Sequence, residues 1–354
     1  MTKTVDEIAR LAGVSVTTVR LVINGQHKKY RISEKTRQKI QGIVDEFGYT
    51  INQTARSLKL QKTQTLGLII PRLTNPFFSE LAEEMERGCR EAGYQLITVC
   101  SDDDEAFEAE VTRNLLNRRV DGLFVTPASE VRQKVIGSKK NKKAVVFIDR
   151  DFGTSHYPVV ATDNEAGGMA IGKALGEIAA GLTEDLYFLG ADINLPTVQA
   201  RLRGLSAGLN KTGQPLTNRQ TIIQGQSVRR DGYTIMQQLC ESLGRIPGGI
   251  VSVSLPILEG AMEYLRQNYG KIPADMVIGS FDDHSMLEFC QNHVVSMRQD
   301  IPALASLSIT LMKQLIAGEI PEKRQNIIQP EVTVRKSSLK VEKPPGERIL
   351  TYRC

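Results

Sequence analysis

Val5-Asp6-Glu7-Ile8-Ala9-Arg10-Leu11-Ala12-Gly13-Val14-Ser15 carries two short helical patterns that meet at Gly13-Val14. Thr4 and Glu7 have the spacing of a capping box, in which the Thr4 hydroxyl accepts from the backbone N–H of Glu7 while the Glu7 carboxylate reaches back. Ile8, Leu11 and Ala12 are expected on one buried face. Gly13 permits a tight turn. Ser15 is placed to cap a second helix whose Val19 and Val22 point inward. Asn24-Gly25 ends that helix, and after a basic loop Ser33 opens a third, with Ile40, Ile43, Val44 and Phe47 at helical spacing. Three short helices around one core make a module of about 50 residues. The first two have the form of a helix-turn-helix, in which the second helix enters the DNA major groove. An ordinary helical hairpin has the same two-helix pattern, so the surrounding charge bears on the choice.

That charge is unevenly distributed. Residues 1–62 hold 12 Lys+Arg and 5 Asp+Glu, a net +7, whereas the whole chain of 354 residues has 45 and 40, a net +5. The remaining residues therefore sum to −2, and a basic module on a near-neutral body points to a polyanion partner at one end. Composition excludes other classes. No apolar run is long enough to span a bilayer and no signal-peptide pattern opens the chain, so a cytoplasmic location is expected. The cysteines Cys89, Cys100, Cys240, Cys290 and Cys354 are odd in number and scattered. They read as reduced packing thiols rather than a disulfide frame or zinc site. No GxSxG elbow, P-loop or metal-type histidine spacing is present, so neither an enzyme centre nor a cofactor or metal is expected.

Residues 51–64 are polar and basic and read as a linker, with a short helix at 52–59. From Leu66 onward the pattern changes. Strand-like runs at Leu66–Pro71, Gln95–Ser101, Gly122–Pro127, Ala144–Asp149, Pro158–Asp163, Leu186–Ala191, Ile250–Ser254 and Met276–Asp283 alternate with helical stretches such as 78–93, 105–118, 164–180, 229–243 and 256–269. This alternation predicts parallel sheets with helices on both faces, and about eight strands favour two sheets over one. The segment 336–354, with Pro344-Pro345 and many charges, is expected to be a loosely ordered tail.

On the second helix, Val16 can touch a thymine methyl, Thr17 can exchange a hydrogen bond with a base, and Arg20 can take a guanine edge or a phosphate. Thr18 suits a phosphate contact. Thr4, Ser15, Asn24 and Arg31 complete the DNA-facing set of the module. Cleft ligands of doubly wound sheets sit beyond the carboxyl ends of strands. The candidates there are Asn75 and Phe77 after the first strand, Thr126 after the third, Asp149 after the fourth and Asp282 after the last, together with Gln299. Carboxylates and amides can pair with adjacent sugar hydroxyls, and Phe77 can lie against a sugar ring. Asp283 reads as structural. Arg150 fits either a surface position or a phosphate.

The chain resembles the lactose-repressor family of transcription factors. The resemblance rests on Asp6-Glu7-Ile8-Ala9, Leu11-Ala12-Gly13-Val14-Ser15, Thr18-Val19, Val22-Ile23-Asn24, Thr36-Arg37, Lys39-Ile40 and Gly48-Tyr49. It continues through Asn52, Ala55-Arg56-Ser57-Leu58, Leu66-Gly67-Leu68-Ile69-Ile70-Pro71, Asn75-Pro76-Phe77-Phe78, Val120-Asp121-Gly122-Leu123, Ser280-Phe281-Asp282-Asp283 and Gln299-Asp300. The long loop Ile23–Ser33 and Val146-Phe147-Ile148-Asp149-Arg150 are similar to the fructose- and sucrose-repressor branch. Leu21 stands where many members have arginine, and Arg20 where serine is frequent, so operator preference does not transfer.

The resemblance implies an all-α headpiece at 1–50, a hinge helix at 51–64 and a body at 65–335 like a periplasmic sugar-binding protein. The body is expected to divide into two doubly wound subdomains, one of about 65–163 plus 294–322 and the other of 164–293 plus 323–335. It also implies a homodimer, with a tetramer possible, bound to double-stranded operator DNA. Asn52, Ala55 and Leu58 would then lie in paired hinge helices in the minor groove, with Leu58 as a wedge that opens a base step. Arg201 matches the family's effector-binding arginine, and Ser254 stands where a common member has asparagine. The implied effector is a sugar or sugar phosphate, with sucrose, fructose or fructose 1-phosphate favoured. The implied function is repression of carbohydrate genes. A dual-acting global regulator and a sugar-binding protein without DNA binding remain as alternatives.

Overall fold

The computed structural model describes residues 2–48, 62–138, 143–178 and 185–335. The chain divides into two units, Met1–Thr63 and Gln64–Cys354. The first unit contains α1 (Val5–Ala12), α2 (Val16–Ile23) and α3 (Glu34–Phe47). Local chemistry sets each boundary. The Thr4 N–H donates to Glu7 Oε2 at 2.8 Å and the Glu7 N–H returns to Thr4 Oγ1 at 3.4 Å. Gly13 takes φ +66°, a left-handed turn that a side chain would disfavour, and its N–H closes on Ala9 and Arg10 carbonyls. Ser15 Oγ caps α2 through Thr18 N at 3.1 Å, and Ser33 Oγ caps α3 through Thr36 N at 3.2 Å.

Ile8, Ala9, Ala12, Val19, Val22 and Ile40 form the core of this unit. Leu11, expected on the buried face, is 51% exposed, and Phe47 is 36% exposed. Three eight-to-fourteen-residue helices meet along a narrow line. Ala9, being small, brings its neighbours close, and the stripe through Ile8 and Ala12 runs on its side rather than on that of Leu11.

The second unit is built from two six-stranded sheets. The first sheet contains β1 (Thr65–Ile70), β2 (Gln95–Cys100), β3 (Gly122–Val125), β4 (Ala144–Ile148), β5 (Val159–Thr162) and β11 (Gln325–Ile328), in the order β11-β5-β4-β3-β1-β2. All its pairings are parallel. Its strands read as continuous Val/Ile/Leu runs because both faces are covered. One face packs on α4 (Pro76–Glu91) and α11 (Ile301–Ala317) through Leu68, Phe77, Leu81, Met85, Phe124, Leu304 and Met312. The other packs on α5 (Glu105–Asn117) and α6 (Glu130–Ile136) through Leu115, Leu123, Ile136, Val145 and Phe147.

The second sheet contains β6 (Leu186–Gly190), β7 (Thr221–Ile223), β8 (Gly249–Ser252), β9 (Val277–Ser280), β10 (Val294–Arg298) and β12 (Glu331–Arg335), in the order β12-β10-β9-β8-β6-β7. Only β12 runs antiparallel. Around it lie α7 (Asn164–Ile178), α8 (Pro196–Lys211), α9 (Arg229–Leu243) and α10 (Leu255–Tyr269). α7 and α8 approach so closely that a Cβ on Gly204 would lie 2.1 Å from the Glu165 carbonyl oxygen, and one on Gly168 2.6 Å from that of Arg201. Glycine at these positions lets α8 press against α7 and sets where Arg201 stands.

The chain crosses between the lobes three times: between β5 and α7, between β10 and α11, and between β11 and β12. This corrects two expected boundaries. Residues 294–298 belong to the second lobe, where β10 pairs with β9 and β12, and 325–328 belong to the first, where β11 pairs with β5. An apolar strand such as Val294-Val295-Ser296-Met297 satisfies either sheet, so pairing with distant strands decides its place. β7, β10, β11 and β12 lie outside the eight expected runs. The first is three residues long, and the last two hold only half-buried and exposed positions. No helix among the described residues is long and apolar enough to cross a membrane. The hinge residues 51–61 and the tail 336–354 lie outside the described residues.

Candidate functional site

Between the two lobes, at the carboxyl ends of their strands, lies a cleft of about 570 Å³ counted to its open mouth. Seven of the eight sequence-selected residues line it: Asn75, Phe77, Asp149, Arg201, Ser254, Asp282 and Gln299. Thr126 is the exception. It is fully buried outside the lining, and its Oγ1 has no hydrogen-bond partner. Thr126 follows β3 directly, as the strand-end argument has it, but its side chain is buried rather than open to the cleft.

The lobe-one wall is set by the turns after β1 and β4. Asn75 Oδ1 caps α4 by accepting from Phe77 N at 3.1 Å, and Phe77 stacks edge-on against Phe78 with ring centroids 4.9 Å apart. Asp149 ends β4 in a left-handed conformation, φ +69°, with its N–H donated to Val160 O at 2.9 Å. Such backbone persists in a side-chain-bearing residue only where the surroundings hold it. Burial pushes the Asp149 carboxyl up from the ordinary carboxylate range, while Arg150 and Arg201 pull the other way. Arg150 is 5% exposed and belongs to the cleft wall, not the surface.

The lobe-two wall is a hydrogen-bonded scaffold. Arg201 Nε donates to Asn164 Oδ1 at 2.7 Å and its Nη1 to Val253 O at 2.6 Å. Its guanidinium lies 5.4 Å from the centroid of the Phe281 ring. Asp282 Oδ2 accepts from Leu255 N at 2.8 Å, and Oδ1 from Gln299 Nε2 at 3.4 Å. Both ends of this scaffold converge on Thr162, the last residue of β5. Its hydroxyl donates to Gln299 Oε1 at 2.7 Å, and its carbonyl accepts from Asn164 Nδ2 at 3.1 Å. Asp282 and Arg201 are thereby each one side chain away from the first crossover. Ser254 Oγ lies 3.2 Å from Ser227 Oγ. Asp283 turns away, pairing with Arg335 at 2.8 Å and accepting from Ser296 Oγ at 2.7 Å.

Sequence reasoning missed Arg72, Asp103, Thr197, Gln226 and Ser227, all of which line the cleft. Arg72 and Asp103 follow β1 and β2, so the strand-end rule could have found them. Gln226 and Ser227 follow β7, which leaves too short a signal to read. Three guanidiniums, three carboxylates, three amide side chains and several hydroxyls thus line one space, together with Phe77. This set suits a small polyol, whose hydroxyls both donate and accept. Among the described residues, no group of three or more His, Cys, Asp or Glu side chains gathers as a metal site.

In the headpiece, Thr17, Arg20, Asn24 and Arg31 are exposed, as are the cap residues Thr4 and Ser15. Val16 is half-buried and packs partly against the headpiece core. Thr18 is half-buried, its Oγ1 2.8 Å from Ser15 Oγ. The exposed part of α2 therefore presents Thr17 and Arg20 most freely. Asn52, Ala55 and Leu58 lie outside the described residues.

Comparison with known proteins gives matches to both units. Residues 4–52 match the family described as bacterial regulatory proteins, lacI family, and residues 66–320 match a periplasmic binding protein domain. The sucrose operon repressor of Klebsiella pneumoniae is 33% identical over 94% of this chain and 98% of its own length. The fructose operon regulatory protein of Vibrio cholerae is 30% identical over 87% of this chain and 92% of its own. Among solved structures, the Lac repressor dimer bound to operator and the anti-inducer ONPF superposes with a TM-score of 0.79 over 96% of this chain and 100% of that one, at 20% identity. The Cra transcriptional dual regulator from Pseudomonas putida in complex with fructose 1-phosphate gives 0.69 over 77% of this chain and 99% of that one, at 26% identity. Extending over nearly the whole chain, these matches place it in a family: it belongs to the lacI family of bacterial regulatory proteins.

Proposed function

We propose that the protein is a homodimeric, sequence-specific DNA-binding repressor of carbohydrate-utilisation genes, acting in the cytoplasm and controlled by a sugar or sugar phosphate. One observation carries the reading: a single chain joins a capped helix-turn-helix with exposed Thr17 and Arg20 to a cleft where Asp149, Arg201, Asp282 and Gln299 converge. In this reading Thr17 and Arg20 meet base edges, with Val16 adding a methyl contact from its uncovered side. Thr4, Ser15, Thr18, Asn24 and Arg31 hold the DNA backbone. Asn52, Ala55 and Leu58 serve the hinge, with Leu58 as the minor-groove wedge. Two headpieces of a dimer read a near-palindromic site, because protein twofold symmetry matches half-site symmetry.

Control follows from differential affinity. An effector that binds one arrangement of the lobes more tightly shifts the population toward it, and operator and effector then alter each other's affinity by the same factor. Relatives named catabolite repressor/activator, 30% identical over 83% of this chain, support a second reading in which the protein also activates. An electrophoretic shift against the chain's own upstream region tests the proposal. A sequence-specific complex at moderate salt that is released or strengthened by sucrose, fructose or fructose 1-phosphate is expected. Failure to form any specific complex overturns the repressor reading.

A further inference from the structure

Gln64 is the first residue of the second unit and stands just before β1. It is exposed, yet its backbone takes φ +52°. Side-chain-bearing residues rarely adopt this left-handed conformation, and it persists only where the surroundings hold it. Here they hold both of its peptide groups. The Gln64 N–H donates to Asp121 Oδ2 at 2.9 Å, and the Gln64 carbonyl accepts from Gln95 N at 2.8 Å. The carbonyl of the next residue, Thr65, accepts from Asp121 N at 2.7 Å. Asp121 thus grips the chain at two consecutive residues, 57 positions away from Gln64 in sequence. The turn that carries Asp121 is itself tight: Arg119 takes φ +60° and donates its N–H to Leu116 O at 2.9 Å.

β1 does not need this clip to find its register. It pairs with β2 from Thr65 and with β3 from Leu66. What the Asp121 carboxylate adds is a fixed direction for the chain on the headpiece side of the strand. Behind Asp121, Gly122 lies close against α11: a Cβ there would press on the Met312 side chain and stand 3.2 Å from the Ala144 carbonyl oxygen. α11 begins at Ile301, two residues past Gln299, which lines the cleft. Met312 lies about 16 Å along that helix at about 1.5 Å per residue. One rigid helix therefore runs from the crossover beside the cleft to the residue next to the clip.

We propose that Asp121 is a positioning residue for operator binding: it fixes the direction in which the chain leaves the first lobe toward the headpiece, so that a rearrangement of the lobes is passed on at Gln64 instead of being absorbed there. The inference rests on the reading of the protein as an effector-controlled DNA-binding regulator, and it names a residue outside both the headpiece and the cleft lining. The physical reason is differential affinity. If the backbone at Gln64 turned freely, both arrangements of the lobes would leave the headpiece the same set of positions, and an effector would have no difference to act on. A carboxylate bonded to a backbone N–H is a charge-assisted bond, strong enough to keep an exposed residue in a strained conformation.

Operator binding by the full chain, with and without saturating fructose 1-phosphate, fructose or sucrose, tests this alongside calorimetry of the same sugars on the DNA-free protein. Asp121→Ala is expected to shrink the sugar-induced change in operator affinity at least about fivefold, while sugar affinity of the DNA-free protein stays within about twofold. Asp121→Asn keeps an oxygen for the Gln64 N–H and should restore most of the change. Gln64→Gly keeps the N–H and fits φ +52° without strain, so it should retain it as well. A sugar response in Asp121→Ala equal to wild type overturns the proposal. So does a response lost together with sugar affinity, which marks general damage to the lobe, or one that Asp121→Asn fails to restore. Hydrogen exchange on the wild-type protein tests the clip without any substitution: the Gln64 amide should exchange at least about tenfold more slowly than in an unstructured chain, and free exchange overturns it. A wild-type operator complex that none of the three sugars alters overturns the proposal together with sugar control. Failure of wild-type protein to form any specific complex instead overturns the regulator reading itself.

Discussion

Thr162 donates its hydroxyl to Gln299 across 2.7 Å, and the bond spans the two lobes at their crossovers. Thr162 closes β5 in the first lobe, and Gln299 follows β10 in the second. Through Gln299 the bond reaches Asp282, and through Asn164 the Thr162 carbonyl reaches Arg201. A ligand that pulls on Asp282 or Arg201 therefore pulls on one residue where the lobes join. Thr162→Val keeps the shape and removes the donor, leaving a buried amide oxygen short of a partner. The expected cost is about 1–3 kcal/mol in stability by denaturant melts. Effector affinity should fall about tenfold, with rescue by Thr162→Ser. Unchanged effector binding in a measurably destabilised Thr162→Val protein would show that the link is structural only.

Arg201 donates two short hydrogen bonds and lies over Phe281 while facing the cleft. Arg201→Ala removes charge-assisted bonds of roughly 1.5–3 kcal/mol each and leaves the Asn164 amide oxygen unpaired. Effector affinity should drop by at least about 100-fold, while operator affinity in the absence of effector changes little. Calorimetry that finds the effector bound as before would remove Arg201 from the site.

Asp151 tethers the start of the edge strand β11 through Arg324 and Gln325. Burial alone would raise its carboxyl. Instead, Arg324 Nη2 at 2.7 Å, Gln325 Nε2 at 2.9 Å, Gly153 N at 2.8 Å and Gln133 Nε2 at 3.0 Å hold it at about 2 against an ordinary value of 3.8. The folded state thus binds this proton later than the unfolded chain does. Its stabilisation is complete above about pH 4 and is lost as the pH falls toward 2, by about 2 kcal/mol in total. Asp151→Asn should lower stability at neutral pH by a similar amount and flatten the acid limb of the unfolding curve between pH 4 and 2. An acid limb identical to wild type would contradict the tether.

Arg20 is exposed on α2; its carbonyl accepts from Asn24 N at 3.0 Å, which leaves its guanidinium facing outward. If it reads a guanine, Arg20→Ala should cost about 1–3 kcal/mol in operator affinity and relax specificity at one position. If it binds phosphate, the loss should be uniform across sequences, with a salt slope reduced by about one. Binding curves at several salt concentrations on operator and scrambled DNA separate the two, and an unchanged affinity on both would take Arg20 off the DNA.

Much of the headpiece was legible because its signals are local. Caps at Thr4, Ser15 and Ser33 and the glycine turn at Gly13 each involve residues within four positions of one another, and these the structure places as expected. Leu11 failed because which side of a short helix is covered depends on partners elsewhere in the chain. In the body, the alternation of strand and helix was equally local, and strand ends pointed to Asp149 and Asp282. Thr126 lies at a strand end but is fully buried outside the cleft lining, since the strand-end rule does not fix where a side chain points.

The sequence by itself determined the helix-turn-helix, the α/β character of the body, the basic headpiece and seven of the residues that line the cleft, because turn chemistry and hydrophobic period act over a few residues. Only the tertiary structure decided which lobe owns β10 and β11, that Arg150 is buried against Asp103, and that Arg72 reaches toward Gln226. It alone brought Thr162, Asn164, Gln299, Arg201 and Asp282 into one hydrogen-bonded set. Those relations join residues up to 154 positions apart. They depend on three chain crossings that pack one lobe against the other, and no local pattern in the chain encodes where such crossings fall.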